Sequence, residues 1–468
     1  MNGHIFHGRK SRREFLRLTG VATGATVLSA CTTSTPQVIK ETVVVKETVP
    51  VEKVVTKEVQ KVVTATVPPA PAKPVELHIV GWDFQGNEWG QAILARFKER
   101  HPDVSIVTRT YPFDMLKSAL VMELAQGRQL DGASAFFTKE FAARRLIEDI
   151  TDKLKAWDRF KLYSTGQLER ISFGGRYYAF TQTNDCPILL YNKDLLAKAG
   201  VQAAPTSWDE LRSTCQAVKD ANIKVGNRTV VPLVWPLYRW FVSPWVWQAG
   251  GEQITEDLKK VVVDSEQGIT GYTFMQKLVK DGLAGIPEAK GATELNAALV
   301  SGWAAMAITG EWVIADNLKA GIKLGTAMLP KGIRAATTLG GTDMVIFRKS
   351  EYKDLVFELY QIFLEPEVQL LNAGTHAVMT TDDVWQKMFA DKALQDKHPN
   401  TKYMNATYDS LKIARFDYLE FPFWWPEGSD VYQAALDAIV LEQADVAQTL
   451  HDLAKKMNDK LDAFYKTA

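Results

Sequence analysis

The stretch Val75-Glu76-Leu77-His78-Ile79-Val80-Gly81-Trp82 begins the folded part of this 468-residue chain. Apolar and polar side chains alternate along it, and this period of two predicts a β-strand. Residues 91–100 then carry apolar side chains at helical spacing, and His101-Pro102-Asp103 ends that predicted helix. A second strand is predicted at 104–108 and a second helix at 115–126. The order β-α-β-α is typical of an α/β fold with a largely parallel sheet.

Ligands of such folds bind beyond the carboxyl ends of the parallel strands. This rule places the loop 81–88 and the segment 131–137 at the edge of a predicted binding site. Tryptophan rings stack on the apolar faces of ligands, and carboxylates accept hydrogen bonds from ligand hydroxyl groups. We therefore predict that a ligand contacts four residues in these segments: Trp82, Asp83, Glu88 and Asp131.

Three further elements can be recognised along the chain. Residues 188–191 form a short apolar run that is typical of a buried strand. Either Thr206 or Ser207 is expected to cap a helix, because acidic residues follow in its first turn. Alanine and leucine recur at helical spacing from 432 to 464, which predicts that the carboxyl-terminal region is helical.

The first 30 residues have the charge and hydropathy pattern of an export signal. Arg12-Arg13 and Phe15-Leu16 resemble a twin-arginine signal, and residues 18–30 form an apolar run without charge. That run is too short and too weakly apolar for a permanent membrane span. Leu28-Ser29-Ala30-Cys31 resembles a lipobox, in which the cysteine receives the lipid chains that anchor a protein to a membrane. The alternative is an ordinary cleaved signal followed by an incidental cysteine.

Residues 31–75 form a low-complexity segment that is rich in valine, threonine, lysine and glutamate. It ends in Pro68-Pro69-Ala70-Pro71-Ala72-Lys73-Pro74, which favours extended polyproline geometry. A segment of this kind after a lipid anchor predicts a spacer that holds the globular part away from the membrane. A disordered tail without a role is the alternative.

Charge and cysteine content exclude several classes of function. Residues 31–468 carry 50 basic and 54 acidic side chains, so the composition predicts no basic face for nucleic acid. The three cysteines are too few for a disulfide framework or a four-cysteine zinc site, and the seven histidines show no metal-binding spacing. No metal and no cofactor is therefore predicted. Cys186 and Cys215 either form a disulfide after export or remain free thiols, and the sequence leaves both open.

Several stretches of the chain carry a more specific pattern. The first group is Gly175-Arg176-Tyr177-Tyr178-Ala179-Phe180, Leu190-Tyr191-Asn192-Lys193-Asp194-Leu195-Leu196, Ala199-Gly200-Val201 and Pro205-Thr206-Ser207-Trp208-Asp209-Glu210-Leu211. The other groups are 299–312, 329–332, 339–341 and 364–367. In this order they resemble the extracellular solute-binding proteins of the sugar-transport group, relatives of maltose-binding protein. The resemblance covers about 75–465.

The resemblance implies a periplasmic-binding-protein-like α/β fold, with two α/β lobes joined by a three-crossing hinge and a ligand in the cleft between them. The positions of the motifs predict crossings at 183–187, 304–307 and 341–345. The first lobe would then comprise 76–184 and 305–343, and the second lobe would comprise 185–304 and 344–468. Binding of a ligand would close the two lobes by a hinge movement.

The resemblance also implies a function, the substrate-binding component of an ABC importer, anchored to the outer face of the cell membrane through Cys31. Such a monomer captures a mono- or oligosaccharide and delivers it to the permease subunits by hinge closure, without being an enzyme. One alternative keeps the transport role but changes the solute to a polyamine, a glycerol phosphoester or another non-sugar. A second is a secreted carbohydrate-active enzyme, whose acids would flank a glycosidic bond. A third is an adhesive or structural envelope protein.

Eight further residues are candidates for contact with the sugar. They lie at the implied crossings or in aromatic-rich stretches: Asp185, Trp235, Trp240, Glu311, Trp312, Asp343, Trp424 and Trp425. Their rings would stack on sugar faces and their carboxylates would accept hydrogen bonds from hydroxyl groups. Core packing is the alternative for each tryptophan, and a structural carboxylate at the hinge is the alternative for Asp185. Prolines around 235–247 favour loops and short helices there over one buried helix face.

Overall fold

The computed structural model describes residues 74–81, 86–112, 115–135, 137–287, 297–374, 378–417 and 427–467. Within it, Pro71–Ala468 forms one compact unit. Among the described residues, no helix is both long enough and apolar enough to cross a membrane. Predictions on five residues fall outside the described ranges and stay predictions: Cys31, Trp82, Asp83, Trp424 and Trp425.

The strands are, in chain order, β1 (Val75–Gly81), β2 (Val104–Thr110), β3 (Gly132–Ala135), β4 (Ser172–Phe173), β5 (Arg176–Tyr177), β6 (Ala179–Thr181), β7 (Ile188–Asn192), β8 (Lys224–Val225), β9 (Arg228–Thr229), β10 (Val231–Val234), β11 (Ala284–Gly285), β12 (Ala304–Thr309), β13 (Leu324–Ala327), β14 (Thr337–Leu339), β15 (Asp343–Ile346) and β16 (Ala414–Phe416).

The α-helices are α1 (Glu88–Arg100), α2 (Leu116–Ala125), α3 (Thr138–Ala143), α4 (Thr151–Ala156), α5 (Thr165–Ile171), α6 (Lys193–Lys198), α7 (Trp208–Asp220), α8 (Arg239–Gln248), α9 (Glu266–Lys280), α10 (Ile314–Lys319), α11 (Lys353–Phe363), α12 (Pro366–Leu371), α13 (Asp382–Ala390), α14 (Lys392–Lys397), α15 (Asn405–Leu411), α16 (Glu427–Val440) and α17 (Val446–Thr467). Short 3₁₀ helices lie at Asp158–Leu162, Glu311–Val313, Asn372–Gly374 and Pro399–Tyr403.

The first lobe is built on a five-stranded sheet with the strand order β2-β1-β3-β15-β6. The strands β1, β2 and β3 are parallel, and β15 runs antiparallel to both of its neighbours. Apolar residues of α1 and α11 complete the core on this sheet. The predicted β-α-β-α beginning is therefore confirmed, with α1 starting three residues earlier than its apolar spacing indicated.

The second lobe is built on a sheet with the strand order β11-β10-β12-β7-β13. The strands β10, β11 and β12 are parallel, whereas β7 runs antiparallel to β12 and β13. One face of this sheet packs against α7, α8, α9, α16 and α17, and the other face packs against α10, α13 and α15. Burial of both faces explains why β7 and β12 are apolar without alternation.

The predicted lobe boundaries are wrong after residue 304. β12 does not cross between lobes, because it pairs with β10 and β7 inside the second sheet. The chain returns to the first lobe through 340–342, between β14 and β15, and α11 and α12 then pack on the first core. Residues 378–381 lead back to the second lobe, where Val378 and Met379 are in its core. A buried apolar strand has the same pattern in either lobe, so the sequence did not indicate which sheet holds β12.

Two local questions that the sequence left open have an answer in the structure. The hydroxyl oxygen of Ser207, and not that of Thr206, caps α7 by accepting the backbone N–H of Glu210 at 3.2 Å. Cys186 and Cys215 are free thiols, and they belong to the cores on opposite faces of the second sheet. Burial raises the pKa of Cys215 to about 12.

Candidate ligand-binding site

The first two passages between the lobes run side by side. Asp185 lies in the first passage, between β6 and β7, and Gly340 lies in the second, between β14 and β15. The backbone N–H of Gly340 donates to the carbonyl oxygen of Asp185 at 2.8 Å, and the N–H of Asp185 donates to the carbonyl oxygen of Gly340 at 3.4 Å. These two hydrogen bonds join the first passage to the second at the junction of the lobes.

Gly340 brings two of the predicted ligand-binding side chains together. A Cβ atom at position 340 would lie 2.3 Å from Oδ1 of Asp185 and 2.6 Å from the indole ring of Trp240. Only a glycine leaves room for such contacts, so its bare Cα is covered by both side chains. Asp185 and Trp240 are each half-buried and are therefore adjacent at the junction of the lobes.

Trp240 lies in the first turn of α8, which contains Pro244. Proline has no N–H, so the carbonyl oxygen four residues earlier, that of Trp240, has no intrahelical donor. The hydroxyl group of Thr338 on β14 donates to that carbonyl oxygen at 2.8 Å instead. The prolines were expected to favour loops and short helices over one buried helix face. Instead, α8 continues through Pro244 and its residues 241–248 are buried, because an outside donor compensates for the missing bond.

Trp312 provides a second ring beside Trp240. The two ring centroids are 6.0 Å apart with an interplanar angle of 38°. Trp312 is half-buried, and its buried indole Nε1 has no hydrogen-bond partner among the described residues. Asp185, Trp240 and Trp312 thus place one carboxylate and two indole rings side by side, a combination that matches a ligand with hydroxyl groups and apolar faces.

Glu311 directly precedes Trp312 in the chain and is buried. Burial raises the pKa of the Cys186 thiol well above its usual value, and the negative charges of Glu311 and Asp185 raise it further. Both carboxylates therefore act electrostatically on the same thiol, which belongs to the residue that follows Asp185. Because Glu311 is buried, it does not line an open surface.

Asp343 does not fulfil the prediction of a third ligand-binding acid. Its Oδ1 atom accepts from Nε of Arg170 at 3.0 Å, and its Oδ2 atom accepts from the hydroxyl group of Thr138 at 2.8 Å. Asp343 is 1% exposed. Burial raises its pKa, while Arg170 and Thr138 act in the opposite direction. Both oxygens of this carboxylate are committed to protein donors, so its role is structural.

Trp235 is also placed differently from its prediction. It follows β10 directly, at the carboxyl end of the second sheet, but its side chain is fully buried in the core. Its ring packs at 5.9 Å from that of Trp245 on α8. Two tryptophans of this stretch were expected to face the cleft. Trp240 lies at the junction of the lobes, whereas Trp235 lies inside the second lobe.

Asp131 and Glu88 do not join the group around Gly340. Asp131 precedes β3, at the amino end of that strand, where it accepts from the backbone N–H of His78 at 2.8 Å and from the hydroxyl group of Ser350 at 2.6 Å. Ligands bind at the opposite end of parallel strands, so Asp131 is a structural carboxylate. Glu88 is exposed at the start of α1 and pairs with Lys397 of the second lobe at 3.1 Å.

The residue that sequence reasoning missed is Arg170. It lies in the last turn of α5, and its guanidinium group donates hydrogen bonds to backbone carbonyl oxygens of both passages. An arginine in a short helix has no motif around it, so no sequence signal indicated this role. Within the described ranges, no group of three or more His, Cys, Asp or Glu side chains is placed to hold a metal ion.

Two α/β lobes joined by neighbouring passages, with the candidate ligand group at their junction, define a class of protein. The family model for bacterial extracellular solute-binding proteins matches residues 82–370 of this chain. The match covers more than half of the chain, and the chain therefore belongs to this family. Membership in an extracellular family implies that the protein is exported.

Three known proteins illustrate the similarity. A maltotriose-binding protein of Pyrococcus abyssi is 25% identical over 302 residues, which are 62% of this chain and 63% of that protein, less than two thirds of its length. An ABC substrate-binding protein of Listeria monocytogenes, solved in complex with cycloalternan, has 16% identity and a TM-score of 0.71 over 83% of this chain and 100% of that one. A protein of Mycobacterium tuberculosis, solved in complex with glycerophosphocholine, has 19% identity and a TM-score of 0.71 over 84% and 100%. At these identities the two structures show a shared fold.

Proposed function

We propose that this protein is the substrate-binding component of an ABC importer and that it captures a mono- or oligosaccharide outside the membrane. The observation that carries the proposal is the group of Asp185, Trp240 and Trp312 at the junction of the lobes. A sugar presents C–H faces to rings and hydroxyl groups to a carboxylate, and this group offers both. The maltotriose-binding relative supports a carbohydrate as the ligand.

Delivery would depend on closure of the two lobes about the passages. Polar contacts join the passages. The hydroxyl groups of Thr183 and Thr342 lie 3.1 Å apart, and the hydroxyl group of Thr380 in the third passage donates to the carbonyl oxygen of Gln182 at 3.0 Å. A ligand that contacts both lobes stabilises the closed arrangement, and permease subunits would recognise that arrangement.

The amino-terminal segment completes the proposal. Export by a twin-arginine signal and lipidation of Cys31 would anchor the protein to the outer face of the cell membrane, with residues 32–75 as a spacer. The protein would act as a monomer and would carry out no catalysis. Its partners would be the sugar, the permease and the membrane.

A cationic or phosphoester solute is the second candidate. A carboxylate beside two indole rings also suits an ammonium group, which the rings attract through their π-electrons. The similar fold of the Mycobacterium tuberculosis protein that was solved with glycerophosphocholine is compatible with such a ligand. The transport role would be unchanged, so a binding screen separates the two candidates.

Maltotriose or a related oligosaccharide is expected to raise the melting temperature of the chain, because only the folded state binds it. At 100 times its dissociation constant, a ligand adds about 2.7 kcal/mol to the free energy of unfolding. The measurement is a thermal-shift screen of the exported form with mono- and oligosaccharides, polyamines and glycerophosphocholine. A shift with polyamines or glycerophosphocholine alone would exclude the carbohydrate assignment but keep the transport role.

Replacing Trp240 with alanine is expected to weaken sugar binding about tenfold, which corresponds to 1.4 kcal/mol. The substitution removes one of the two rings that would stack on the sugar but leaves Asp185 and Trp312 in place. Calorimetric titration with the sugar that gives the largest thermal shift measures the effect. Trp208→Ala is the matched control, since Trp208 is also half-buried in the second lobe but stacks on Phe274 at 4.4 Å. Equal affinities of Trp240→Ala and the unchanged protein would remove Trp240 from the site.

A further inference from the structure

Arg170 connects the first lobe to the backbone of both neighbouring passages. Its Nη1 atom donates to the carbonyl oxygen of Gly340, and its Nη2 atom donates to the carbonyl oxygen of Thr183 at 2.9 Å and lies 3.5 Å from that of Thr342. Its Nε atom donates to Oδ1 of Asp343 at 3.0 Å. The guanidinium group is planar and permanently charged, so it holds its acceptors in a fixed mutual geometry.

The backbone around Arg170 is shaped for this contact. Gly341 has a φ angle of +118°, a backbone conformation that residues other than glycine rarely adopt. A Cβ atom at position 341 would lie 2.0 Å from the carbonyl oxygen of Thr183 and 2.7 Å from Nη1 of Arg170. The second passage can therefore lie against Arg170 and the first passage only because residue 341 is a glycine.

The same contact reaches the candidate ligand group. The carbonyl oxygen that Nη1 binds belongs to Gly340, whose Cα is covered by Asp185 and Trp240. A movement of the second passage relative to the first lobe changes the hydrogen bonds of Arg170 and, at the same residue, the position of these two side chains. Pairing with Asp343 does not by itself require the contacts of Arg170 to the passages. Asp343 binds the Nε and Nη2 atoms of Arg170, and the Nη1 atom remains available to the second passage.

We propose that Arg170 is a positioning residue that fixes the angle between the lobes and couples that angle to the candidate ligand group. The proposal rests on the hinge closure of the proposed function, but its test uses the protein without any ligand. If Arg170 had a purely structural role and only neutralised Asp343, its replacement would change the stability of the protein but not the angle between the lobes.

The test measures the distance between the lobes by double electron–electron resonance. Spin labels are placed at two exposed positions, Asp103→Cys in the first lobe and Lys280→Cys in the second, in the full chain with Cys31→Ser. In Arg170→Lys the positive charge remains beside Asp343, but a single ammonium group cannot bind both passages in the fixed geometry of a guanidinium. We expect its distance distribution to broaden or shift relative to that of the unchanged protein.

Thr138→Val is the matched control. It removes the other partner of Asp343 without touching either passage, so it should lower the melting temperature and leave the distance distribution unchanged. If Arg170→Lys does not fold, the neutral pair Arg170→Gln with Asp343→Asn takes its place, since it also loses the contacts to the passages. A variant of Arg170 that folds with an unchanged distribution, whatever its melting temperature, would overturn the proposal.

Discussion

Replacing Asp343 with alanine is expected to lower the free energy of unfolding by about 3–5 kcal/mol, because it removes one partner of a buried ion pair. The side chains of Arg170 and Asp343 are 6% and 2% exposed, and Nη2 of Arg170 lies 2.9 Å from Oδ1 of Asp343. In the variant, the guanidinium group stays buried without its carboxylate, and the hydroxyl group of Thr138 loses its acceptor. Urea denaturation followed by tryptophan fluorescence measures the change.

An exposed ion pair serves as the control for this prediction. Asp354 pairs with Lys153 on the surface of the first lobe, and their side chains are 86% and 52% exposed. Asp354→Ala should change the free energy of unfolding by less than about 1 kcal/mol. Replacing both members of the buried pair, as Arg170→Met with Asp343→Leu, should restore the part of the loss that comes from the unpaired guanidinium group. Similar losses in Asp343→Ala and Asp354→Ala would show that burial of the pair contributes nothing.

Replacing Trp235 with alanine is expected to lower the free energy of unfolding by about 3–5 kcal/mol, since it leaves a large cavity in the core of the second lobe. The side chain is completely buried and packs against Trp245. The same denaturation experiment measures the effect. Affinity for the sugar, measured at a temperature where the variant is folded, should change little because the ring lies inside the lobe.

Two variants make this prediction specific. Trp235→Phe keeps most of the apolar volume and removes an indole Nε1 that has no hydrogen-bond partner among the described residues, so its cost should stay below that of the alanine variant. Trp240→Ala should show the reverse pattern, with a smaller loss of stability and a larger loss of affinity. A loss of affinity in Trp235→Ala that matches the loss in Trp240→Ala would place both rings in the ligand site.

These opposite expectations for two tryptophans five positions apart show where sequence reasoning reached its limit. Both lie in one aromatic stretch with prolines, and nothing local distinguishes them. Trp235 directly follows β10 and is enclosed by helices from distant parts of the chain, whereas Trp240 lies in the first turn of α8 beside Gly340. Which ring is enclosed depends on packing between elements that are far apart in sequence, and local patterns do not contain that information.

The sequence by itself determined the α/β class, because strand and helix periods are local properties of the chain. It also determined the family through its ordered motifs, and the crossing at 183–187 that these motifs implied placed Asp185 near the junction of the lobes. Only the tertiary structure decided which sheet holds β12, since buried strands of both lobes are equally apolar. It alone decided that Asp343 serves Arg170 and that Arg170 binds Gly340, partners that are 173 and 170 residues apart in sequence. Contacts at such separations are formed by the folded arrangement of whole elements, and no spacing along the chain encodes them.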